Sequence, residues 1–123
     1  MGETRARDAR LVDEKLIDYV ARTIVERFHP ERIILFGSQA RSDARRDSDL
    51  DLCVIMETSE RPVKRSITVA SIFPGRYWPM DIVVYTPREY EEWRQVKGFL
   101  IHTIDTEGKV LYDAHAPVPS VAG

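Results

Sequence analysis

Apolar residues between positions 8 and 28 recur at intervals of three and four: Leu11, Val12, Leu16, Ile17, Val20, Ala21, Ile24, Val25 and Phe28. At 3.6 residues per turn these fall on one face, which predicts a helix over 8–28. Pro30 closes it, because the residue before a proline avoids the α conformation. Residues 32–36, Arg-Ile-Ile-Leu-Phe, are short, apolar and β-branched and lie between Pro30 and Gly37, so they predict a first strand. Residues 38–46 predict a short helix or turn, and 50–56 a second strand. A helix is expected over 61–73, with Pro62 suited to its first turn and Pro74-Gly75 ending it. Residues 80–85 predict a third strand. Thr86-Pro87-Arg88-Glu89 then combines a threonine cap, proline at the first helical position and glutamate three residues past the cap. That helix is expected to run to about Ile104, with Gly98 as its weak point, before a last extended piece over 109–112. Residues 113–123 turn to Ala, Pro, Ser and Gly and predict a flexible tail, which bounds the domain at 1–112. Strands alternating with helices indicate an α+β (layered α/β) domain.

The length of 123 residues allows one domain with a single real core. With 43% apolar and 31% charged residues the composition is globular, which excludes a disordered or fibrous chain. No apolar run approaches the roughly 20 residues that span a bilayer, so no membrane association is expected. The N-terminus is charged and carries no apolar leader core. The single cysteine, Cys53, excludes an internal disulfide framework and a thiolate metal cluster. These features predict a cytoplasmic protein. Eighteen basic against twenty acidic residues give a net charge of −2, so stable nucleic-acid binding is not expected.

Candidate chemistry concentrates in LFGSQARSDARRDSDLDLCVI, residues 35–55. Gly37-Ser38 follows a strand and opens a helix. A glycine there lets backbone approach a ligand, and the first N–H groups of a helix suit a phosphate. Ser38 adds a hydroxyl donor. Asp49 and Asp51 are two apart on a strand and so share a face, while Leu50, Leu52 and Val54 point the other way. Two carboxylates on one face repel unless a cation sits between them, and hard oxygen donors suit Mg²⁺. Asp81 opens the third strand and joins the pair if that strand lies beside the second. Three carboxylates can hold two metal ions for an in-line phosphoryl displacement.

This segment resembles the signature of the DNA polymerase β-type nucleotidyltransferase superfamily. It is similar, more narrowly, to the minimal nucleotidyltransferases, small single-domain proteins often paired with a HEPN-domain partner. The resemblance rests on the opening helix, Gly37-Ser38-Gln39-Ala40-Arg41, Ser48-Asp49-Leu50-Asp51-Leu52, Asp81-Ile82-Val83-Val84 with Thr86-Pro87, and Val110-Leu111-Tyr112. It implies the polymerase β-like fold, a small mixed sheet flanked by helices with strands in the order one, two, three. It implies two Mg²⁺ ions and a nucleoside triphosphate, usually ATP, with Asp49 and Asp51 bridging both metals and Asp81 binding the catalytic one. Gly37, Ser38 and Arg41 would form the nucleotide-binding set. Ser42 departs from the family pattern, where glycine is common, and Arg46 stands where proline is common.

The reaction expected is attack of a hydroxyl on the α-phosphorus of ATP, with release of pyrophosphate. The resemblance implies AMP transfer to a tyrosine hydroxyl of a HEPN toxin, this chain being the antitoxin. Two alternatives stand beside it: a small-molecule, aminoglycoside-type nucleotidyltransferase, and a non-catalytic antitoxin that acts by binding alone. Arg45 and Arg46 are read as solvated loop charges balanced by Asp43 and Asp47. Cys53 shares parity with Asp49 and Asp51 but is read as a buried, inert thiol. His29, His102 and His115 show no ligand spacing. Lys64 and Arg65 are read as a wet helix face or phosphate contacts. Tyr77 and Trp78 are read as stacking on a base or facing a partner protein, or, for at least one of them, as core packing. Trp93, Phe99 and Leu100 are expected on the packed face of the last long helix.

Overall fold

The computed structural model of the chain describes residues 11–45 and 48–116. The expected start of the first helix at residues 8–10, Arg46, Asp47 and the part of the tail from Pro117 onward lie outside the described residues. Helix α1 spans Glu14–Phe28 and, against expectation, does not include residues 11–13, because Asp13 is its cap, extended and accepting from the Leu16 N–H at 2.9 Å. Its end is closed by His29 at φ 50°, whose N–H donates to the Val25 carbonyl. Strand β1 (Arg32–Phe36), short helix α2 (Ser38–Arg41), strand β2 (Leu50–Ile55) and helix α3 (Pro62–Ala70) follow. Strand β3 (Met80–Tyr85), helices α4 (Pro87–Trp93) and α5 (Leu100–Glu107), and strand β4 (Lys109–Asp113) complete the described fold.

The four strands form one mixed sheet in the order β3-β2-β1-β4. β1 runs antiparallel to β2 and β4, and β2 runs parallel to β3. The adjacency of the first three strands is the one expected. β4 adds to the free edge of β1 and includes Asp113, paired with Arg32, one residue beyond the expected domain boundary. Ala114 then donates to the Glu31 carbonyl at 2.8 Å.

Alternation along the strands sends side chains to two different layers. Ile33, Leu35, Leu50, Leu52, Val54, Ile82 and Val84 form a core with α1 and with Val69 of α3. On the other face Ile34, Cys53 and Ile55 pack with Tyr90 of α4 and Ile101 and Ile104 of α5. Asp51 and Asp81 have the parity of this second face. α4 and α5 are two helices rather than one to Ile104, separated by residues 94–99 with Gly98 at φ 92°. An unbroken 18-residue helix would be about 27 Å long. A six-residue strand is only about 20 Å long, so the break lets both pieces lie on the same small sheet. Trp93, Phe99 and Leu100 are therefore not packed as expected. They are partly exposed and line an apolar cavity of about 350 Å³ together with Tyr85 and Pro62. Among the described residues no helix is long and apolar enough to cross a membrane.

Arg65 corrects the expectation of a wet face. It is the buried charged residue among those described. Its guanidinium donates to the Glu60 carbonyl (2.8 Å), the Val84 carbonyl (3.3 Å) and both carboxylate oxygens of Glu89 (2.8 and 3.3 Å). Glu89 also completes the capping box, accepting from the Thr86 N–H at 2.9 Å. One ion pair thus ties α3 and β3 to the start of α4. The Arg65 hydrogen bonds hold the Glu89 carboxyl below its ordinary range. Its contribution is present above the unfolded pKa and is lost as pH falls through the lowered folded value. Arg65→Ala leaves a partly buried carboxylate and two carbonyls without their donor and is expected to cost about 3 kcal/mol. Urea unfolding at pH 7 checks the loss, and the gap to wild type should narrow as the pH is taken below 4.

Candidate active site

The antiparallel register places Phe36, the last residue of β1, opposite Asp51. The chain therefore leaves β1 at Gly37 beside the start of β2. The parallel register aligns Asp51 with Asp81. Aligned residues on adjacent strands lie about 4.8 Å apart with side chains on one face. The Leu50 N–H donates to the Pro79 carbonyl at 3.0 Å, which fixes the two strand starts together. Asp49, immediately before β2, is exposed, as is Asp81, while Asp51 is partly buried.

Gly37 is needed for two reasons. It has φ 75°, and a Cβ built on it would run into Asp51 Oδ2. The glycine thus makes room for the carboxylate itself as well as for any ligand. α2 is one turn long: the Ala40 and Arg41 N–H groups both donate to the Gly37 carbonyl at 3.1 Å. The N–H groups of Ser38 and Gln39 precede this turn's own bonds. Ser42 closes it at φ 65°, in the left-handed region that favours glycine. The following loop is held at Ser48. Gln39 Nε2 donates to the Ser48 carbonyl at 3.4 Å, and Ser48 Oγ accepts from the Arg45 N–H at 2.6 Å.

Burial, then the charges of Asp81 and Asp49, push the Asp51 carboxyl up to about 6, with Arg41 pulling the other way. The Arg41 Nε itself pairs with Asp43 at 3.3 Å. Burial pushes the Cys53 thiol up to about 12, in keeping with an inert thiol. Among the described residues no three His, Cys, Asp or Glu side chains form a preassembled metal-binding group. The donor set still fits a hard divalent cation. It is oxygen only, and burial, with the charges of the other two, makes ionising its most buried member costly, a cost that a cation beside it offsets.

Residues 17–115 match the model of the nucleotidyltransferase domain family. The chain belongs to that family. Nucleotidyltransferases are transferases, and the mixed sheet with flanking helices is their fold. Two solved structures show the same fold. A Sulfolobus solfataricus protein assigned as a nucleotidyltransferase superposes with a TM-score of 0.58 at 20% identity, covering 81% of this chain and 79% of its own. A toxin–antitoxin crystallised with AMP-PNP superposes with a TM-score of 0.52 at 20% identity, covering 80% of this chain and 74% of its own. No match was found among curated proteins.

Sequence reasoning singled out the Gly37 turn, Arg41 and the three aspartates, and the fold brings all of them to one end of the sheet. It missed the Gln39–Ser48 hydrogen bond, because no spacing rule links a loop side chain to a backbone oxygen nine residues away. Two outcomes are expected. Ionising Asp51 costs folding stability, because its folded pKa lies above its unfolded one; the cost is absent near pH 4 and full above the folded value. In EDTA, Asp51→Asn should melt higher than wild type at pH 8, and thermal scans should show the difference closing toward pH 4. Gly37→Ala should destabilise the wild-type background more than an Asp51→Ala background. Urea denaturation of the four proteins should give a coupling of about 1 kcal/mol or more.

Proposed function

We propose that this nucleotidyltransferase transfers AMP from ATP to a tyrosine hydroxyl on a HEPN-type toxin and so serves as its antitoxin, in the cytoplasm. The observation that carries the catalytic part is the alignment of Asp51 with Asp81 beside the Gly37 turn. It gathers acids and a glycine turn that opens a helix at one sheet end. The partner and the nucleotide follow the resemblance of the sequence to minimal nucleotidyltransferases. They are in keeping with a structural neighbour that is a toxin–antitoxin crystallised with AMP-PNP.

In this reading Ser38 Oγ and the first N–H groups of α2 hold the triphosphate tail, and Arg41 neutralises part of its charge. Asp49, Asp51 and Asp81 would hold the Mg²⁺ ions. Bound there, they would supply positive charge to the phosphate oxygens and to the leaving pyrophosphate. The acceptor oxygen bonds to the α-phosphorus as the bond from that phosphorus to the bridging oxygen breaks. In this reading a carboxylate oxygen of Asp81 takes the proton of the attacking hydroxyl. The protein's remaining contribution is positioning, with the sheet register fixing the acids relative to the turn. AMP on a toxin tyrosine would place a bulky anion near its RNA site and repel the RNA backbone.

Asparagine at position 49, 51 or 81 should lower transfer of α-labelled AMP by at least about 100-fold with circular dichroism unchanged. The assay takes the purified chain, Mg²⁺, ATP and the toxin encoded beside it, and intact mass of the toxin is the readout. Near wild-type transfer by these variants overturns the site. A toxin neutralised with no mass shift favours inhibition by binding alone, and label on an aminoglycoside instead favours the small-molecule reaction.

A further inference from the structure

A second concave surface lies at the same end of the sheet, between the start of α1 and the segment joining α3 to β3. Lys15 and Tyr19 line one side, and Phe73, Arg76, Tyr77 and Trp78 the other, around a cleft of about 710 Å³. Its position is fixed by Pro79, whose carbonyl accepts from the Leu50 N–H where β2 and β3 begin. Trp78 is three residues before Asp81, within about 11 Å along the chain.

Three observations give this cleft a chemistry. Tyr77 is 69% exposed and Tyr19 55%, although each ring packs edge-on against an inner one: Tyr77 on Trp78 at 5.1 Å, and Tyr19 on Phe73 at 6.2 Å. Large rings half out of the core offer stacking area. Trp78 is 7% exposed, and its indole Nε1 is buried with no hydrogen-bond acceptor. A buried tryptophan N–H ordinarily finds a partner, so this unpaired donor calls for an oxygen acceptor. Lys15 and Arg76 place two cations on the walls, while Asp13, also on the rim, is committed to capping α1. Tyrosine, tryptophan and arginine together are the composition of protein-recognition hot spots. Two cations on a chain of net charge −2 are too few for a strand of phosphates, whose binding scales with the number neutralised.

We propose that this cleft docks an acidic, ring-bearing segment of the acceptor protein. A segment carboxylate meets Arg76 and Lys15, its aromatic side chain stacks on Tyr77 or Tyr19, and one of its oxygens accepts from Trp78 Nε1. Docking there delivers a neighbouring hydroxyl to the end of the sheet that carries Asp51 and Asp81. The inference rests on the transferase reading for what happens next, but docking is measured without it.

The probe is a fluorescein-labelled random copolymer of glutamate and tyrosine, titrated with the chain in the absence of ATP. Wild type should bind it more tightly than a lysine–tyrosine copolymer. Arg76→Glu and Tyr77→Ala, both changes at exposed side chains, should each weaken binding about tenfold while ATP–Mg²⁺ binding stays unchanged. In Trp93→Phe protein Trp78 is the sole tryptophan, and its emission should shift on adding the copolymer. Affinity unaffected by either cleft variant overturns the proposal, as does tighter binding of the lysine–tyrosine copolymer or of a ten-nucleotide oligouridylate. Copolymer that binds through Arg76 and Tyr77 yet never takes up label from ATP supports the cleft and counts against the transferase reading alone.

Discussion

Asp51 is wedged between the backbone of Gly37 on one side and Asp81 on the other, and the rest of the structure can be understood from that placement. A carboxylate in partly buried surroundings, with two more acids near it, is a cost that folding has to absorb. The sheet absorbs it through two registers. The antiparallel β1–β2 pairing brings the turn to Asp51, and the parallel β2–β3 pairing brings Asp81. A shift of one residue in either would move the acids to the opposite face, where Leu50, Leu52, Val54 and Ile82 bury against α1. The apolar core thus fixes the geometry of the acids, and a divalent cation bound among them would relieve the repulsion it imposes.

The helices serve this arrangement unequally. α1 and α3 cover one face with apolar side chains. On the other face α4 and α5 cover Cys53 and Ile55 and stop short of the acids, which remain open at the strand starts. Arg65 and Glu89 then hold α3, β3 and α4 in one relation from the far end of β3, so the strand carrying Asp81 is secured at both ends: by Pro79 at its start and by Val84 near its close. In a domain with a small core, such an ion pair gains definition from its geometry more than stability from its charge.

Much of this was legible in the chain. The alternation of Leu50, Leu52 and Val54 with Asp51 and Cys53 gave both the strand and its two faces. The capping box at Thr86 and Glu89 formed as the spacing required. Less legible was anything decided by tertiary fit. The break between α4 and α5 follows from the size of the sheet, and the burial of Arg65 depends on carbonyls and a carboxylate brought in from three other segments. The exposure of Trp93 and Phe99 is the counterpart of that break. Gly37 was read as room for a ligand, whereas its nearest neighbour is Asp51, a contact that only the register reveals.

The central claim is that the three aspartates form one cation site with the Gly37 turn. It is tested most directly by counting bound Mn²⁺ by electron paramagnetic resonance in the presence of ATP blocked at its α,β-bridge. The account expects two ions per chain for wild type, with Asp51→Asn unable to retain both. Free Mn²⁺ at the same level with wild type, with the Asp51 variant and with nucleotide alone would contradict it.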